Sequence, residues 1–233
     1  TNGGGIFTVG GLVTLDTCRI TNCSAVQDGG GVYNNYSEIT ISGSTFNECS
    51  AQINGGGFYN NGGGVDFSGC TIQNSSAALN GGGMYIGSGT IKMENSIIGR
   101  NIGTSLEEIE SYITAHGHPT EANFGNKAQN GGGIWCIDGS VECNTLYVTY
   151  NYASGSTGGF YNAAATSSEF ISGLIAGNWA FLNAGGVRNS GTFTQTGGCV
   201  SFNSSYFEAG GVYNHGFYTL MNGEISYNQC TYS

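Results

Sequence analysis

The sequence has very little positive charge and only one proline. Five of its 233 residues are Lys or Arg, against 15 Asp and Glu, and the net charge is −10. Because a nucleic-acid-binding surface needs a basic patch, this composition argues against nucleic acid as a partner. No apolar stretch approaches the roughly 18 residues of a membrane-spanning helix, so we expect no membrane span. The chain begins at Thr1, without Met or a signal peptide, which predicts a processed protein or a fragment.

Glycine is abundant instead, with 43 copies that follow no collagen period. The glycines occur in clusters, and residues that favour strands, such as Val, Ile, Phe and Tyr, lie between them. Aligning the clusters divides the chain into eight units, most of them about 26 residues long. The units begin at Gly3, Gly29, Gly55, Gly81, Gly131, Thr157, Ala184 and Ala209. Such regular spacing is typical of a repeat protein rather than a flexible linker.

Residues at equivalent positions of the units form columns. Apolar and polar positions alternate with a period of two, which indicates strands and not helices. One unit cannot bury its apolar face alone, but stacked units bury each apolar residue against the equivalent residue of the next unit. The sequence therefore predicts an all-β fold, a parallel β-helix of about eight coils forming a single repeat domain over 1–233. The late apolar column contains Ile20, Phe46, Ile72, Ile98, Val148, Ile175, Val200 and Ile225.

Two motifs recur in phase along the chain. Three glycines precede an apolar residue in GGGV (29–32) and GGGF (55–58), and an apolar residue precedes Asn by three positions in IGRN (98–101) and VSFN (200–203). This pattern resembles the repeats of chlamydial polymorphic membrane proteins. The resemblance implies a right-handed parallel β-helix that is displayed outside the cell and is often adhesive. The first three units depart from it, with Cys23, Cys49 and Ser75 where Asn101 and later asparagines stand.

The eight cysteines favour an oxidising compartment. Cys23 and Cys49 share a column in adjacent coils, where stacked Cα atoms lie about 4.8 Å apart, within disulfide range. We therefore predict a disulfide between them. Cys136 and Cys143 lie in one coil and form a second candidate pair around a corner. Ser44 separates Cys18 from Cys70, which argues against their pairing. No pairing is predicted for Cys199 or Cys230.

Sequons give further, weak support for an extracellular or cell-surface location. Asn22, Asn35 and Asn74 begin N-x-S/T sequons and are candidate glycosylation sites. Asn203 also begins a sequon, but it lies in the asparagine column, so we expect it to stay unmodified.

One inserted segment, 104–127, breaks the period. Ser105 and Glu108 predict a capping box, and apolar residues on one helical face follow, so we expect a short helix that ends near Gly117 and lies across the rod. His116 and His118 fall in this segment and are candidate metal ligands or acid–base groups. The alternative is a solvated loop that packs its apolar residues on the coils.

An aromatic column offers a candidate binding surface. Alternation places its side chains outward, where exposed rings stack on sugars or contact a partner. The alternative is that the rings stack on one another and stabilise the sheet. The column contains Tyr33, Tyr59, Tyr85, Trp135, Tyr161 and Tyr213.

Candidate catalytic groups are few. Asp66, Lys92 and Glu142 share a column in consecutive coils, which an alternating surface ladder of charges explains more simply than a catalytic site does. We expect no cofactor.

The sequence favours a non-enzymatic extracellular β-helix, either adhesive or a subunit of a filament that stacks head to tail, with further copies or flanking repeats as partners. The alternative is a β-helix that binds or degrades glycans through the insertion; host or cell-surface proteins are further possible partners.

Overall fold

The computed structural model describes residues 1–232 and confirms the predicted fold class. The chain forms a parallel β-solenoid of stacked coils, numbered 1 to 8 from the residues at which the units begin. All pairings between its named strands are parallel, within one 18-stranded and one 8-stranded sheet. None of the helices in the described part of the chain is long and apolar enough to cross a membrane.

Short strands separated by corners build each coil. Coils 1 to 4 contain β1 (Ile6–Val9), β2 (Leu12–Asp16), β3 (Arg19–Thr21), β4 (Ser24–Ala25), β5 (Val32–Asn35), β6 (Glu38–Ser42), β7 (Thr45–Asn47), β8 (Ser50–Ala51), β9 (Phe58–Ser68), β10 (Thr71–Gln73), β11 (Ser75–Ala77), β12 (Met84–Gly99), α1 (Leu106–His116) and β13 (Asn126–Ala128). Coils 5 to 8 contain β14 (Ile134–Thr149), β15 (Tyr152–Ala153), β16 (Phe160–Phe170), β17 (Gly173–Ala176), β18 (Trp179–Ala180), β19 (Val187–Asn189), β20 (Thr192–Gln195), β21 (Cys199–Ser201), β22 (Ser204–Ser205), β23 (Val212–Asn214), β24 (Phe217–Leu220), β25 (Glu224–Ser226) and β26 (Gln229–Cys230).

The apolar columns form one continuous core along the rod. Each member of the late column pairs with its equivalent in the next coil, as Ile20 does with Phe46 and Val148 with Ile175. Phe46, Phe58 and other large side chains are buried there. Burial of each such side chain contributes about 1.5–3 kcal/mol, so the columns supply the main stabilisation of the fold.

The glycine cluster that begins each unit forms a sharp corner of its coil, called here the glycine corner. Its three positions have different physical requirements. The first needs a left-handed backbone (Gly55 has φ 66°), but Thr157 at φ 65° and Ala184 at φ 57° also adopt it. The second and third positions are Gly in all eight coils. A Cβ on Gly56 would lie 2.4 Å from the carbonyl oxygens of both Gly82 and Ser76. The first glycine is therefore replaceable, whereas the second is excluded from carrying a side chain by backbone atoms.

A second corner, after the late apolar column, depends on asparagine side chains. In seven of the eight coils its first residue has a left-handed backbone whatever its type, as at Tyr150 with φ 57°; coil 4, where the insertion departs, is the exception. The side chain of the next residue forms hydrogen bonds with both neighbouring coils. Asn178 Oδ1 accepts from the Asn151 backbone N at 2.9 Å. Asn178 Nδ2 donates to the Val148 carbonyl at 2.8 Å and to Asn203 Oδ1 at 2.9 Å. The resulting ladder offsets the cost of the left-handed residues.

The prediction that Asn101 belongs to this ladder is wrong. Asn101 is exposed, and Asn126 takes its place: Asn126 Oδ1 accepts from the Ser75 backbone N at 3.0 Å, and its Nδ2 donates to Asn151 Oδ1 at 3.1 Å. The chain leaves the rod at Arg100 and re-enters it at Gly125, whose N donates to the Tyr150 carbonyl. The inserted segment thus lies between these two residues, slightly earlier than the predicted 104–127.

We expect Gly56→Ala to lower the free energy of unfolding by about 3 kcal/mol, because its methyl group has no space between two backbones. Gly55→Ala is the matched control and should cost less, about 1–2 kcal/mol: its Cβ would lie 2.7 Å from the Phe58 carbonyl oxygen, but Ala184 and Ala209 already occupy the equivalent position. Urea denaturation of both variants measures the difference. Equal losses for the two variants would contradict the assignment of separate roles.

Candidate functional surfaces

The inserted segment forms a strap across the coils. The predicted capping box at the start of α1 is present, with Ser105 Oγ accepting from the Glu108 backbone N at 3.2 Å and Glu108 Oε2 accepting from the Ser105 N at 3.1 Å. Hydrogen bonds from the Thr104 and Ser105 backbones lower the pKa of the Glu108 carboxyl. Gly117 ends the helix and donates to the Ile113 carbonyl at 2.8 Å.

The strap packs on three neighbouring coils and extends to a fourth. Ile109 is fully buried in a cluster with Tyr150 of coil 5 and Leu174 of coil 6, and Phe202 of coil 7 contacts the same cluster. An 11-residue helix is about 16 Å long, or some three coil spacings, which matches this footprint. Beyond the helix, the Gln229 side chain of coil 8 donates to His118 Nε2 at 3.1 Å. The strap therefore braces the C-terminal half of the rod.

Arg100 fixes the root of the strap where the chain leaves the coils. Its guanidinium lies 5.4 Å from the Tyr150 ring centre and donates to the Phe124 carbonyl at 3.1 Å and to the Asn123 side chain. Since both Phe124 and Asn123 belong to the returning end of the segment, Arg100 holds the two ends together.

The structure does not bring the two candidate histidines together. His116 is exposed and stacks on Tyr112, with ring centres 4.3 Å apart, while its Nδ1 donates to the Tyr112 carbonyl at 3.1 Å. His118 turns towards Gln229, and burial lowers its pKa. Within residues 1–232, no group of three or more His, Cys, Asp or Glu side chains is placed to hold a metal ion. The arrangement favours the structural interpretation of the insertion.

Most of the predicted aromatic column forms two separate ring stacks, and Arg188 separates Tyr213 from the second. Tyr33 and Tyr59 stack with ring centres 4.7 Å apart, as do Tyr59 and Tyr85, and Trp135 lies 4.0 Å from Tyr161. The expectation of exposed rings is wrong for Tyr33 and Tyr85, which are each only 8% exposed because neighbouring rings cover their faces. Burial accordingly raises the pKa of Tyr59 and Tyr85. Tyr59, Trp135, Tyr161 and Tyr213 are half-buried and stay candidates for contact with a partner.

Neither predicted disulfide is present, since all eight cysteines lie in the described part of the chain as free thiols. Cys23 and Cys49 do occupy stacked positions, but their thiols donate to the Thr21 carbonyl at 3.4 Å and the Ile20 carbonyl at 3.5 Å. Cys136 and Cys143 are buried in the core. Burial raises the pKa of Cys49 to about 11 and of Cys136 to about 12, so these thiols are poor nucleophiles.

The candidate sequons differ in accessibility. Asn22 is exposed, whereas Asn35 and Asn74 are half-buried, at the surface of coils 1 to 3. The Asn74 side chain donates to Asn47 Oδ1 at 2.8 Å, whereas no such bond occupies the Asn22 amide among the described contacts. Asn203 is fully buried in the asparagine ladder. This burial agrees with the expectation that its sequon is silent.

The column of Asp66, Lys92 and Glu142 lies in register on the outer face of the rod, with Lys92 between the two acids. Glu142 is followed by Glu169 in coil 6. The column is therefore a ladder of surface charge, but the predicted alternation of sign holds only from Asp66 to Glu142, since Glu142 and Glu169 carry the same charge.

The two end coils carry the most exposed apolar side chains. Leu12 in coil 1 is 88% exposed and Phe217 in coil 8 is 79% exposed. Phe7, Val9 and Ile225 are exposed beside them. In both end coils the strands pair with a neighbour on one side only, as β1 does with β5 and β25 with β21. Unpaired strand edges with apolar side chains are sites where another chain adds.

We expect Ile109→Ala to lower the free energy of unfolding by about 3 kcal/mol, because it removes the buried contact between the strap and coils 5 and 6. His116→Ala, on the exposed face of the same helix, should leave stability nearly unchanged. Thermal and urea denaturation of both variants test the strap. A larger loss of stability for His116→Ala than for Ile109→Ala would show that the histidine, and not the packing of Ile109, is what stabilises the coils.

Alkylation by iodoacetamide should distinguish the thiols. At pH 8 only about one Cys49 in a thousand is a thiolate, so the exposed Cys230 should react far sooner. Labelling of Cys49 should rise about a hundredfold between pH 8 and 10, since its pKa lies above that range. Peptide mapping measures each site, and mapping without reductant also detects any Cys23–Cys49 bond. Equal rates for Cys49 and Cys230 at pH 8 would contradict the burial of Cys49.

Comparison with known proteins identifies no relative of the chain. No protein-family model matches the chain, and no curated protein or solved structure matches it. The motif pattern shared with polymorphic membrane proteins thus stays a resemblance, and the surfaces of the molecule are the basis for a functional proposal.

Proposed function

We propose that the chain is a non-enzymatic structural β-helix that acts outside the cell and assembles end to end with further copies of itself. The observation that carries this proposal is the state of the two end coils. Each presents an unpaired strand edge together with exposed apolar side chains, Leu12 at one end and Phe217 at the other. Contact between two such ends buries apolar surface and pairs backbone groups in the same step.

Several features of the rest of the rod support this proposal. The insertion, which holds the two candidate histidines, serves as a brace on the coils through Ile109, and the histidines do not converge. Charged side chains lie in a column along the side of the rod, the one that contains Lys92, rather than in a cleft. An extracellular location is supported by the exposed sequon at Asn22 and by the repeat resemblance, which also implies an adhesive role.

The proposal predicts linear particles of defined length. Eight coils at about 4.8 Å make a rod of about 38 Å, so end-to-end assembly should give particles whose lengths are multiples of this value. Negative-stain electron microscopy and sedimentation velocity over a range of concentrations measure this. Single rods at every concentration would overturn self-assembly and would favour flanking repeats of a longer chain as the neighbours of the end coils.

A further inference from the structure

We propose that a second copy adds in one direction only, with its coil 1 seated on coil 8 of the copy before it, in the register that continues every column. This inference rests on the proposed function and specifies the junction. Three independent features of the end coils carry it: the direction of the backbone hydrogen bonds at the glycine corner, one outward column that is apolar only at its ends, and another that is charged only at its ends.

The glycine corner has a fixed polarity. At each step the N–H groups of one coil donate to the carbonyls of the next, as Gly30 N does to Gly55 O at 3.0 Å and Gly186 N does to Gly210 O at 2.9 Å. In coil 8 the equivalent N–H groups, those of Gly210 and Gly211, therefore point past one end of the rod, while the corner carbonyls of coil 1 point past the other. Donors meet acceptors only when coil 8 faces coil 1. Two equal ends would oppose donors to donors or acceptors to acceptors.

The two most exposed large apolar side chains belong to one column. Leu12 is its first member and Phe217 its last. The members between them are small or polar: Glu38, Gly64, Thr90, Ser140, Ser167 and Thr192. This column faces outward, so the apolar residues at its ends do not belong to the core. Head-to-tail addition in register places Leu12 of one copy on Phe217 of another and removes both from water.

A second outward column is charged only at its ends. It begins at Arg19 and ends at Glu224, both exposed. Its inner members are all uncharged: Thr45, Thr71, Ile97, Tyr147, Leu174 and Cys199. The same register sets the guanidinium of one copy beside the carboxylate of the other. Stacking of two equal ends would instead supply only one sign of charge from this column, so neither Arg19 nor Glu224 would meet its opposite charge.

Charge reversal tests this register. Arg19→Glu and Glu224→Arg should each weaken self-association about tenfold, because each places like charges at every junction. The two variants shift the net charge in opposite directions, so a general charge effect would not weaken both. The double variant restores opposite charges and should associate like the wild type. Lys92→Glu, at an exposed position in mid-rod, is the control for added negative charge and should have little effect.

Mixing the two single variants is the decisive measurement. Every head-to-tail junction between an Arg19→Glu molecule and a Glu224→Arg molecule pairs opposite charges, so the mixture should assemble where each variant alone does not. Sedimentation velocity and electron microscopy measure this, and circular dichroism checks that both variants are folded. Wild-type association with no effect of either reversal, or no recovery on mixing, would overturn the register while leaving self-assembly intact. A wild type that never associates would overturn the proposed function itself.

Discussion

Close contact between backbones at the glycine corner is the constraint on which the rest of the structure depends. Where a Cβ of Gly56 would sit, carbonyl oxygens of Gly82 and Ser76 lie 2.4 Å away, so successive coils meet there without side chains between them. This contact fixes both the spacing and the register of the coils. Every column then follows, because residues at equal distance from the corner must lie directly on one another. Apolar columns become the core, and the alternate columns are left to the surface.

The asparagine corner tolerates much more variation than the glycine corner. It needs a left-handed residue and a side chain that bonds to both neighbouring coils, and Asn178 shows how one amide does this. Glu48, Tyr150 and Phe202 all serve as the left-handed residue. The insertion enters at this corner and leaves the ladder continuous, because Asn126 supplies the missing amide. An insertion at the glycine corner would break the contact that sets the register.

The sequence predicts most of the fold because each column repeats one physical requirement eight times. Alternation identifies the inward columns, and the structure confirms the pairing of Ile20 with Phe46 and its equivalents. Local motifs do not predict which residue occupies a column when the chain leaves the rod and returns to it. Asn101 fits the repeat motif, but nothing local shows that the chain returns to the rod at Gly125.

Alternation and column spacing also leave contacts undetermined at single sites. Alternation gives the direction in which Tyr33 points but not that its neighbours cover it, so its exposure was predicted wrongly. Likewise, the stacking of Cys23 on Cys49 permits a disulfide without requiring one.

The polarity of the glycine corner and the position of the strap together make the two ends of the rod unequal. The strap braces coils 5 to 8 through Ile109 and reaches Gln229, so the last coil is held from outside as well as by the core. Coil 1 has no such brace among the described contacts. Association costs less conformational entropy when one of the two surfaces is already ordered. In the proposed head-to-tail junction, the braced coil 8 would therefore be the ordered surface onto which coil 1, led by Leu12, adds.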